Sequence, residues 1–274
     1  GVDIAVDGSV PLGAGLSSSA ALECAVAVAL AQLTGLPLDD DGRARLAAAC
    51  VRAENVVAGA PTGGMDQAVS LRAREGHALL LDSTDFSVRH VPFDLAGHGL
   101  ALLVVDTRAP HRLVDGQYAN RRATCERAAS ALGVRVLADL GPDADLSGLD
   151  EAARRRVRHV VGEVARVHAV VDLLRAGRVE ETAPHLDASH ASLRDDYEVS
   201  SPELDLAVEA ARSAGALGAR MTGGGFGGSA IALVREAELS TVAEAVQKAF
   251  SHNGFTEPAF LVATASAGAT SHPR

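Results

Sequence analysis

The chain carries, at residues 11–19, the stretch Pro11-Leu12-Gly13-Ala14-Gly15-Leu16-Ser17-Ser18-Ser19, which leads into a long alanine-rich run. Glycine permits positive φ angles and a close approach of a ligand to the backbone that a Cβ atom would block. Serines before an apolar run are typical of a helix start, where their hydroxyls can cap the first N–H groups. Those N–H groups and the positive end of the helix dipole attract anions. This glycine-serine loop therefore predicts a phosphate site, with an ordinary capped helix start as the alternative.

Working outward from the loop, the hydrophobic pattern and the Gly and Pro positions predict the elements of the whole chain. We expect helices over residues 18–34, 39–58, 113–132, 151–175, 179–195, 202–214 and 237–250. Strands are predicted over residues 2–10, 77–82, 88–93, 100–106, 218–221, 229–234 and 258–263. Since helices and strands are mixed without a regular βαβ repeat, the fold class is α+β.

The expected domain organisation is two lobes. The punctuation Gly97-His98-Gly99 before a buried strand suggests a boundary between a first domain over residues 1–98 and a second over 99–265. Residues 266–274 are predicted to be a disordered tail. The sequence opens on Gly1 and runs at once into a strand-like segment, so we expect a chain that was cut upstream of this point.

Composition limits the function classes. The 274 residues carry a formal net charge of −10, which argues against a nucleic-acid-binding surface because such surfaces neutralise phosphates with Lys and Arg. No apolar run reaches the roughly 20 residues that span a bilayer. Three scattered cysteines without a C-x-x-C pair are typical of a reducing cytoplasm. We expect a cytoplasmic protein without membrane or nucleic-acid partners, and a monomer.

Two acids lie on the elements that follow the glycine-serine loop. Glu54 falls on the last turns of the second helix, and Asp66 follows the double-glycine loop Gly63-Gly64. Magnesium prefers hard oxygen ligands, which Ser18 and Glu54 could supply. Asp66 would then be free to orient or deprotonate an attacking hydroxyl, as phosphoryl transfer requires. Taken alone, Asp66 is also interpretable as a helix N-cap.

A second glycine cluster occupies residues 223–228, between a short strand and a buried one. So many glycines carry an entropic cost, which is justified where a ligand has to approach the backbone closely. The cluster therefore indicates a second binding loop.

Five arginines on the predicted helix over residues 151–175 are interpreted as a solvated face: Arg154, Arg155, Arg156, Arg158 and Arg166.

These motifs, in this order, resemble those of the GHMP small-molecule kinases. The glycine-serine loop is similar to the nucleotide loop of that family, and residues 223–228 to its third motif. The finer resemblance is to the galactokinase branch: Pro61 through Gln67 is similar to its catalytic-aspartate segment, and His111 through Arg122 to its sugar-contacting tyrosine region. Residues 158–161 and 192–200 are further similar runs. The resemblance covers nearly the whole chain.

The resemblance implies a two-lobed fold with a ribosomal-protein-S5-like first lobe, incomplete here, and a ferredoxin-like second lobe. It implies phosphorylation of the anomeric hydroxyl of D-galactose by ATP and Mg²⁺. The residues that the resemblance implies for nucleotide binding are Pro11, Gly13, Ala14, Gly15, Leu16, Ser17, Ser18 and Ser19. Those implied for metal binding are Ser18 and Glu54. Those implied for sugar binding are Gly63, Asp66, Tyr118, Gly223, Gly224 and Gly225. Asp66 is the implied catalytic acid, as base or as electrostatic stabiliser.

Two departures from the family pattern bear on function. Thr62 stands where many relatives have cysteine, a change expected to be harmless because the neighbouring backbone carries the sugar contact there. The printed sequence also lacks the family's first motif, which supplies a catalytic arginine and sugar-binding groups. Alternatives that stay open are a kinase for another sugar, such as N-acetylgalactosamine or arabinose, a galactokinase-like sensor without catalysis, and an incompletely folded remnant.

Overall fold

The computed structural model describes residues 1–11, 13–60, 62–109 and 117–271, apart from the side chain of Tyr118. Its helices are α1 Ser18–Thr34, α2 Asp40–Arg52, α3 Met65–Arg72, α4 Gln117–Ala131, α5 Glu151–Arg175, α6 Ala183–Ser192, α7 Pro202–Ser213 and α8 Leu239–His252. Its strands are β1 His77–Leu81, β2 Val88–Pro92, β3 Leu100–Asp106, β4 Gly218–Met221, β5 Ser229–Arg235 and β6 Ala259–Ala263. The predicted elements other than the first strand are confirmed within a few residues at their ends, but residues 113–116 of the helix predicted over 113–132 lie outside the described residues.

The chain divides into two compact units. The first comprises residues 1–94 and 264–274, and the second comprises residues 95–263. The division after residue 94 lies four residues before the predicted boundary, because Leu95 is buried and its carbonyl accepts from the backbone N–H of Leu100 at 2.9 Å. Leu95 is thereby tied to the first strand of the second unit.

In the first unit three helices share a small core. Cys24 and Val28 of α1 pack with Ala47 and Cys50 of α2 and with Leu71 of α3. α1 ends as the sequence predicts, since Gly35 adopts a left-handed φ of 71° and its N–H reaches the last carbonyls of the helix. Strands β1 and β2 form a separate antiparallel hairpin, in which His77 pairs with Pro92.

The segment over residues 2–10 is not a strand, and the prediction was wrong. Its residues are exposed, and no ladder partner is found for them among the described residues. A strand exists only where its backbone groups pair with a neighbour, so alternating side chains alone do not produce one.

The tail also departs from the prediction. Residues 264–271 belong to the first unit instead of being disordered. The N–H of Ala269 donates to the carbonyl of Ser70 at 2.7 Å, and the N–H of Gly268 donates to that of Ala73 at 3.0 Å. Arg43 adds a bond from Nη1 to the carbonyl of Ala269 at 2.8 Å. These backbone contacts hold a segment whose side chains give no hydrophobic pattern.

The second unit is built on a four-stranded antiparallel sheet in the order β4-β5-β3-β6. β3 lies between β5 and β6, and its successive side chains are buried on both faces of the sheet, which explains its continuous apolar run. The largest core cluster joins one face of this sheet to α7 and α8, with Leu204, Met221 and Phe250 fully buried. A second cluster joins α4 to α5 through Ala128 and Val157.

One arginine of α5 contradicts the prediction of a solvated basic face. Arg156 is 4% exposed, and its guanidinium bonds to the carbonyl of Asp196 and to the carboxylate of Glu198. Helical periodicity places it near the apolar side, beside Val157, where the turn after α6 supplies a partner for the buried charge.

Candidate functional site

The glycine-serine loop turns sharply before α1. Gly13 and Gly15 have φ angles of 78° and 70°, in the left-handed region that glycine adopts without steric cost. Ser17, the N-cap residue, also has a positive φ of 55°, and it makes no side-chain cap bond. The predicted capping by this serine was wrong, because its hydroxyl is turned elsewhere. The first N–H groups of α1 therefore have no cap from the Ser17 side chain and can donate to a bound anion.

The hydroxyl of Ser17 reaches Asp66. Its Oγ donates to Oδ2 of Asp66 at 2.5 Å, across 49 residues of sequence. Asp66 is the second residue of α3, whose N-cap is Gly64 with a φ of 81°, so its interpretation as an N-cap was also wrong. The half-buried carboxylate instead extends toward the loop that begins α1. The structure thus joins the predicted nucleotide loop to the predicted catalytic acid.

Glu54 is carried by an irregular turn at the end of α2. Residues Ala53–Val57 form a π-helical turn. Such turns interrupt regular α-helices and are often found at functional sites. The carboxylate is 9% exposed and is bonded on both oxygens. Ser19 Oγ donates to Oε1 at 2.7 Å, and Gln67 Nε2 donates to Oε2. The serine that contacts Glu54 is therefore Ser19, the neighbour of the residue predicted to share a metal with it.

The same π-helical turn anchors the loop that precedes α3. Asn55 accepts a hydrogen bond from the N–H of Thr62 at 2.8 Å, and the carbonyl of Glu54 accepts from the N–H of Ala60 at 3.0 Å. Gly63, a predicted sugar contact, is exposed and has open space around its Cα. The loop that brings Asp66 into place is thus tied to the turn that carries Glu54.

Two further polar residues take part that the sequence pattern did not indicate, Gln67 and Glu23. Gln67 is fully buried and donates to Glu54 and, at 3.4 Å, to Oε2 of Glu23. Burial raises the pKa of Glu23 above its usual value; the Gln67 hydrogen bond opposes this shift, and the charge of Glu54 adds to it. Glu23 lies one helical turn after Ser19, so the i,i+4 spacing was the signal that could have found it.

The side-chain oxygens at and around Glu54 are suitable ligands for a magnesium ion. Mg²⁺ is commonly held by one or two carboxylates together with substrate phosphates and waters, and one buried carboxylate beside serine hydroxyls satisfies that pattern. Ser18 presents a half-buried hydroxyl between the two serines that bond to the acids. Among the described residues no group of three or more His, Cys, Asp or Glu is arranged to hold a metal by itself. Such an ion would therefore depend on the phosphates of the nucleotide.

The second glycine cluster lies in the second unit, in the turn from β4 to β5. Gly225 has a φ of 83°, and a Cβ added there would lie 2.1 Å from the carbonyl oxygen of Val199. The N–H of Phe226 donates to that same carbonyl at 2.7 Å. Gly223 also has a positive φ, of 75°, whereas Gly224 faces open space. The requirement for glycine is therefore steric at residue 225.

Part of the predicted sugar site lies outside the described residues. Tyr118 is the second residue of α4, and its side chain is outside the described part of the structure, as are residues 110–116. Arg121, one turn further along α4, bonds through Nε to the carbonyl of Tyr197 at 2.9 Å and through Nη2 to that of Glu198 at 3.0 Å. No helix in the described part of the chain is long and apolar enough to cross a membrane.

Comparison with known proteins identifies the family. Residues 1–74 match the GHMP kinases N terminal domain, and residues 170–252 match the GHMP kinases C terminal domain. The chain is 52% identical to a galactokinase of Streptomyces coelicolor over 98% of its own length and 70% of that protein. It is 44% identical to a galactokinase of Mycobacterium bovis, with 97% and 73% covered.

Solved structures agree in fold. A galactokinase of Lactococcus lactis complexed with galactose superposes with a TM-score of 0.87 at 35% identity, over 96% of this chain and 69% of that one. A mevalonate kinase of L. major matches in fold with a TM-score of 0.60 at 20% identity, over 92% and 66%. The GHMP-kinase fold predicted from the motifs is confirmed, and the chain belongs to the GHMP kinases, in their galactokinase branch.

Proposed function

We propose that the protein transfers the γ-phosphoryl group of ATP to the anomeric hydroxyl of D-galactose, giving α-D-galactose 1-phosphate. The observation that carries this proposal is the hydrogen bond from Ser17 to Asp66, which couples the nucleotide loop to the acid in one unit. The high identity to galactokinases over nearly the whole chain supports galactose as the sugar.

Different residues of the first unit bind the nucleotide and act on the sugar hydroxyl in phosphoryl transfer. The loop over residues 11–19 and the N-terminus of α1 bind the nucleotide phosphates through backbone N–H groups. Asp66 orients the sugar hydroxyl and takes up its proton or stabilises its developing charge. With Oδ2 engaged by Ser17, we assign the sugar hydroxyl to Oδ1.

The metal assignment is part of the proposal. Ser18 and Glu54 would hold Mg²⁺, which neutralises charge on the phosphates during transfer. Gly63, Tyr118 and residues 223–225 would contact the sugar. We also place the enzyme in the cytoplasm, in keeping with three free cysteines among the described residues.

Replacement of Asp66 by Asn tests the proposal in the full-length protein. The variant keeps the shape of the side chain and loses its charge, so kcat for galactose phosphorylation should fall at least about 100-fold. Asp41→Asn, an exposed acid at the start of α2, is the matched control and should retain turnover. Unchanged turnover in the Asp66 variant would contradict the assigned role.

Sugar specificity is tested separately. We expect kcat/KM for galactose to exceed that for N-acetylgalactosamine and arabinose in a panel measured under one set of conditions. A higher value for another sugar would assign the chain to a related kinase. Saturable binding of ATP and galactose without ADP release would instead indicate a sensor.

A further inference from the structure

Three side-chain hydrogen bonds close a ring around the start of α1. Ser17 bonds to Asp66, Ser19 bonds to Glu54, and Gln67 bonds to Glu54. The backbone completes the ring, since Asp66 and Gln67 are adjacent in α3 and the two serines are two residues apart. Gln67 is the one donor in this ring that comes from α3, and the proposed function gives it no role.

The amide of Gln67 is placed between two carboxylates. Its Nε2 bonds to Oε2 of Glu54 and lies 3.4 Å from Oε2 of Glu23. The residue is 0% exposed, so protein atoms and not water surround the amide that lies between these two acids. An NH₂ group carries two hydrogens and can donate one to each carboxylate.

The amide oxygen of Gln67 indicates that the two acids determine the orientation of the amide group. Oε1 of Gln67 is buried and has no hydrogen-bond partner among the described residues. Rotating the amide would turn Oε1 toward two carboxylate oxygens, remove the donor from Glu23, and leave Glu54 with the Ser19 bond only. The side chain thus leaves an acceptor unsatisfied in order to keep both hydrogens on the acids.

We propose that Gln67 is a positioning residue that fixes the carboxylate of Glu54 for the metal ion of the metal–nucleotide complex, by bridging it to Glu23. The inference rests on the proposed function, because it takes Glu54 as a metal ligand. Without the bridge, Glu54 and Glu23 repel each other and the Glu54 carboxylate is held by Ser19 alone. The expected consequence is a loss of affinity specific to the metal-bound nucleotide.

The test uses Gln67→Met, which keeps the length of the side chain and removes the donor. Affinity for Mn²⁺ at an ADP concentration equal to that of the protein is measured by the electron paramagnetic resonance signal of free Mn²⁺, against the same titration of ADP without protein. We expect the Kd to rise about tenfold or more, in line with a hydrogen bond to a charged group. Affinity for ADP in EDTA should stay within about twofold of the unmodified protein, because the bonds of the loop backbone are unchanged.

Three controls separate positioning from packing. Val28→Ala makes a cavity in the same helical core and should lower Tm without changing the Mn²⁺ affinity. Gln67→Asn keeps an amide that is too short to reach Glu54, so it should behave as Gln67→Met and serves if that variant does not fold. Glu23→Gln added to Gln67→Met removes the repelling charge and should recover at least about threefold in affinity.

The outcomes are distinct. Unchanged Mn²⁺ affinity in Gln67→Met, an equal loss of ADP affinity in EDTA, or no recovery on adding Glu23→Gln would each overturn the positioning role. Failure of the unmodified protein to bind the Mn²⁺–nucleotide complex or to phosphorylate galactose would instead contradict the proposed function. That result is measured on the unmodified protein and does not depend on any variant.

Discussion

Three consecutive serines have three different surroundings. Ser17 bonds to Asp66, Ser19 bonds to Glu54, and Ser18 between them presents its hydroxyl half-buried. The difference arises because Ser17 is in a left-handed conformation while Ser18 and Ser19 begin the helix, so successive hydroxyls point in different directions. At this scale the chemistry of a residue is decided by its backbone conformation as well as by its type.

A buried histidine gives a prediction about pH. His159 is 7% exposed, is stacked on Tyr197 at a centroid distance of 4.4 Å, and has Nδ1 3.0 Å from the hydroxyl of Ser192. Burial lowers its pKa from 6.5 to about 4. The unfolded chain then binds a proton more readily than the folded one between these values, so stability falls as pH decreases through this window.

The change to test is His159→Gln. Between pH 7 and pH 5 the unmodified protein should lose about 2 kcal/mol of unfolding free energy through this residue, and the variant should lose that much less. Urea unfolding at the two pH values measures the difference. His252→Gln, an exposed site at the end of α8, should leave the pH dependence as it is. Equal pH dependence in all three proteins would show that His159 does not stay neutral.

Two neighbouring glycines give a second prediction at the residue scale. Gly225→Ala places a Cβ against the carbonyl of Val199 at a φ of 83°, whereas Gly224→Ala meets open space. The first variant should lose at least about 2 kcal/mol of unfolding free energy, and the second should lose less than about 1. Thermal unfolding of the pair measures this. Equal losses would contradict the steric requirement at residue 225.

At the scale of elements, the important feature is the end of α2. The π-helical turn over Ala53–Val57 directs Glu54 inward, and Asn55 beside it holds the loop before α3. The end of α2 therefore positions Glu54 directly and Asp66 through the loop that precedes α3. The start of α2 is fixed by Asp39, whose carboxylate accepts from the N–H of Gly42 at 2.8 Å.

Removing that cap tests how α2 supports the site. Asp39→Ala leaves the N–H of Gly42 without its partner and should cost about 1 kcal/mol of unfolding free energy. Asp41→Ala, which removes an exposed acid from the same turn, should cost less than about 0.5 kcal/mol. Chemical denaturation measures both. A cost for Asp39→Ala no larger than that of its neighbour would mean that the cap does not stabilise α2.

At the scale of the whole molecule, the chain passes from the first unit to the second and returns. Residues 264–271 bond back to α2 and α3 through Arg43, Ser70 and Ala73. The first unit therefore includes residues from both ends of the described chain. The Arg43–Ala269 hydrogen bond, for example, joins residues that are 226 positions apart.

Deleting residues 264–274 tests this dependence. The amides of α2 and α3 should exchange with solvent faster by about tenfold or more, because the helices open more readily once the bonds of the returning segment to Ser70, Ala73 and Arg43 are lost. The amides of α7 and α8 in the second unit serve as the internal control and should keep their rates. Hydrogen exchange read by mass spectrometry distinguishes the units. A uniform change would show that the returning segment has no special relation to the first unit.

Local signals determined much of this protein from sequence. Helix α1 begins at Ser18 and ends before Gly35 as expected; its end is set locally, because the N–H of Gly35 bonds to carbonyls within the last turn. The continuous apolar run of β3 predicted a buried central strand. The ordered motifs predicted the GHMP-kinase fold and the galactokinase branch, since each motif is a contiguous run of residues that can be read directly from the sequence.

Tertiary structure decided what contacts what. Residues 2–10 alternate, yet they pair with no strand in the part of the chain that the structure describes. The returning segment packs through backbone bonds that leave no side-chain pattern. The partners Ser17 with Asp66 and Gln67 with Glu54 are 49 and 13 residues apart. A sequence shows which residues can donate or accept, whereas the distances that select among them exist only once the helices have packed.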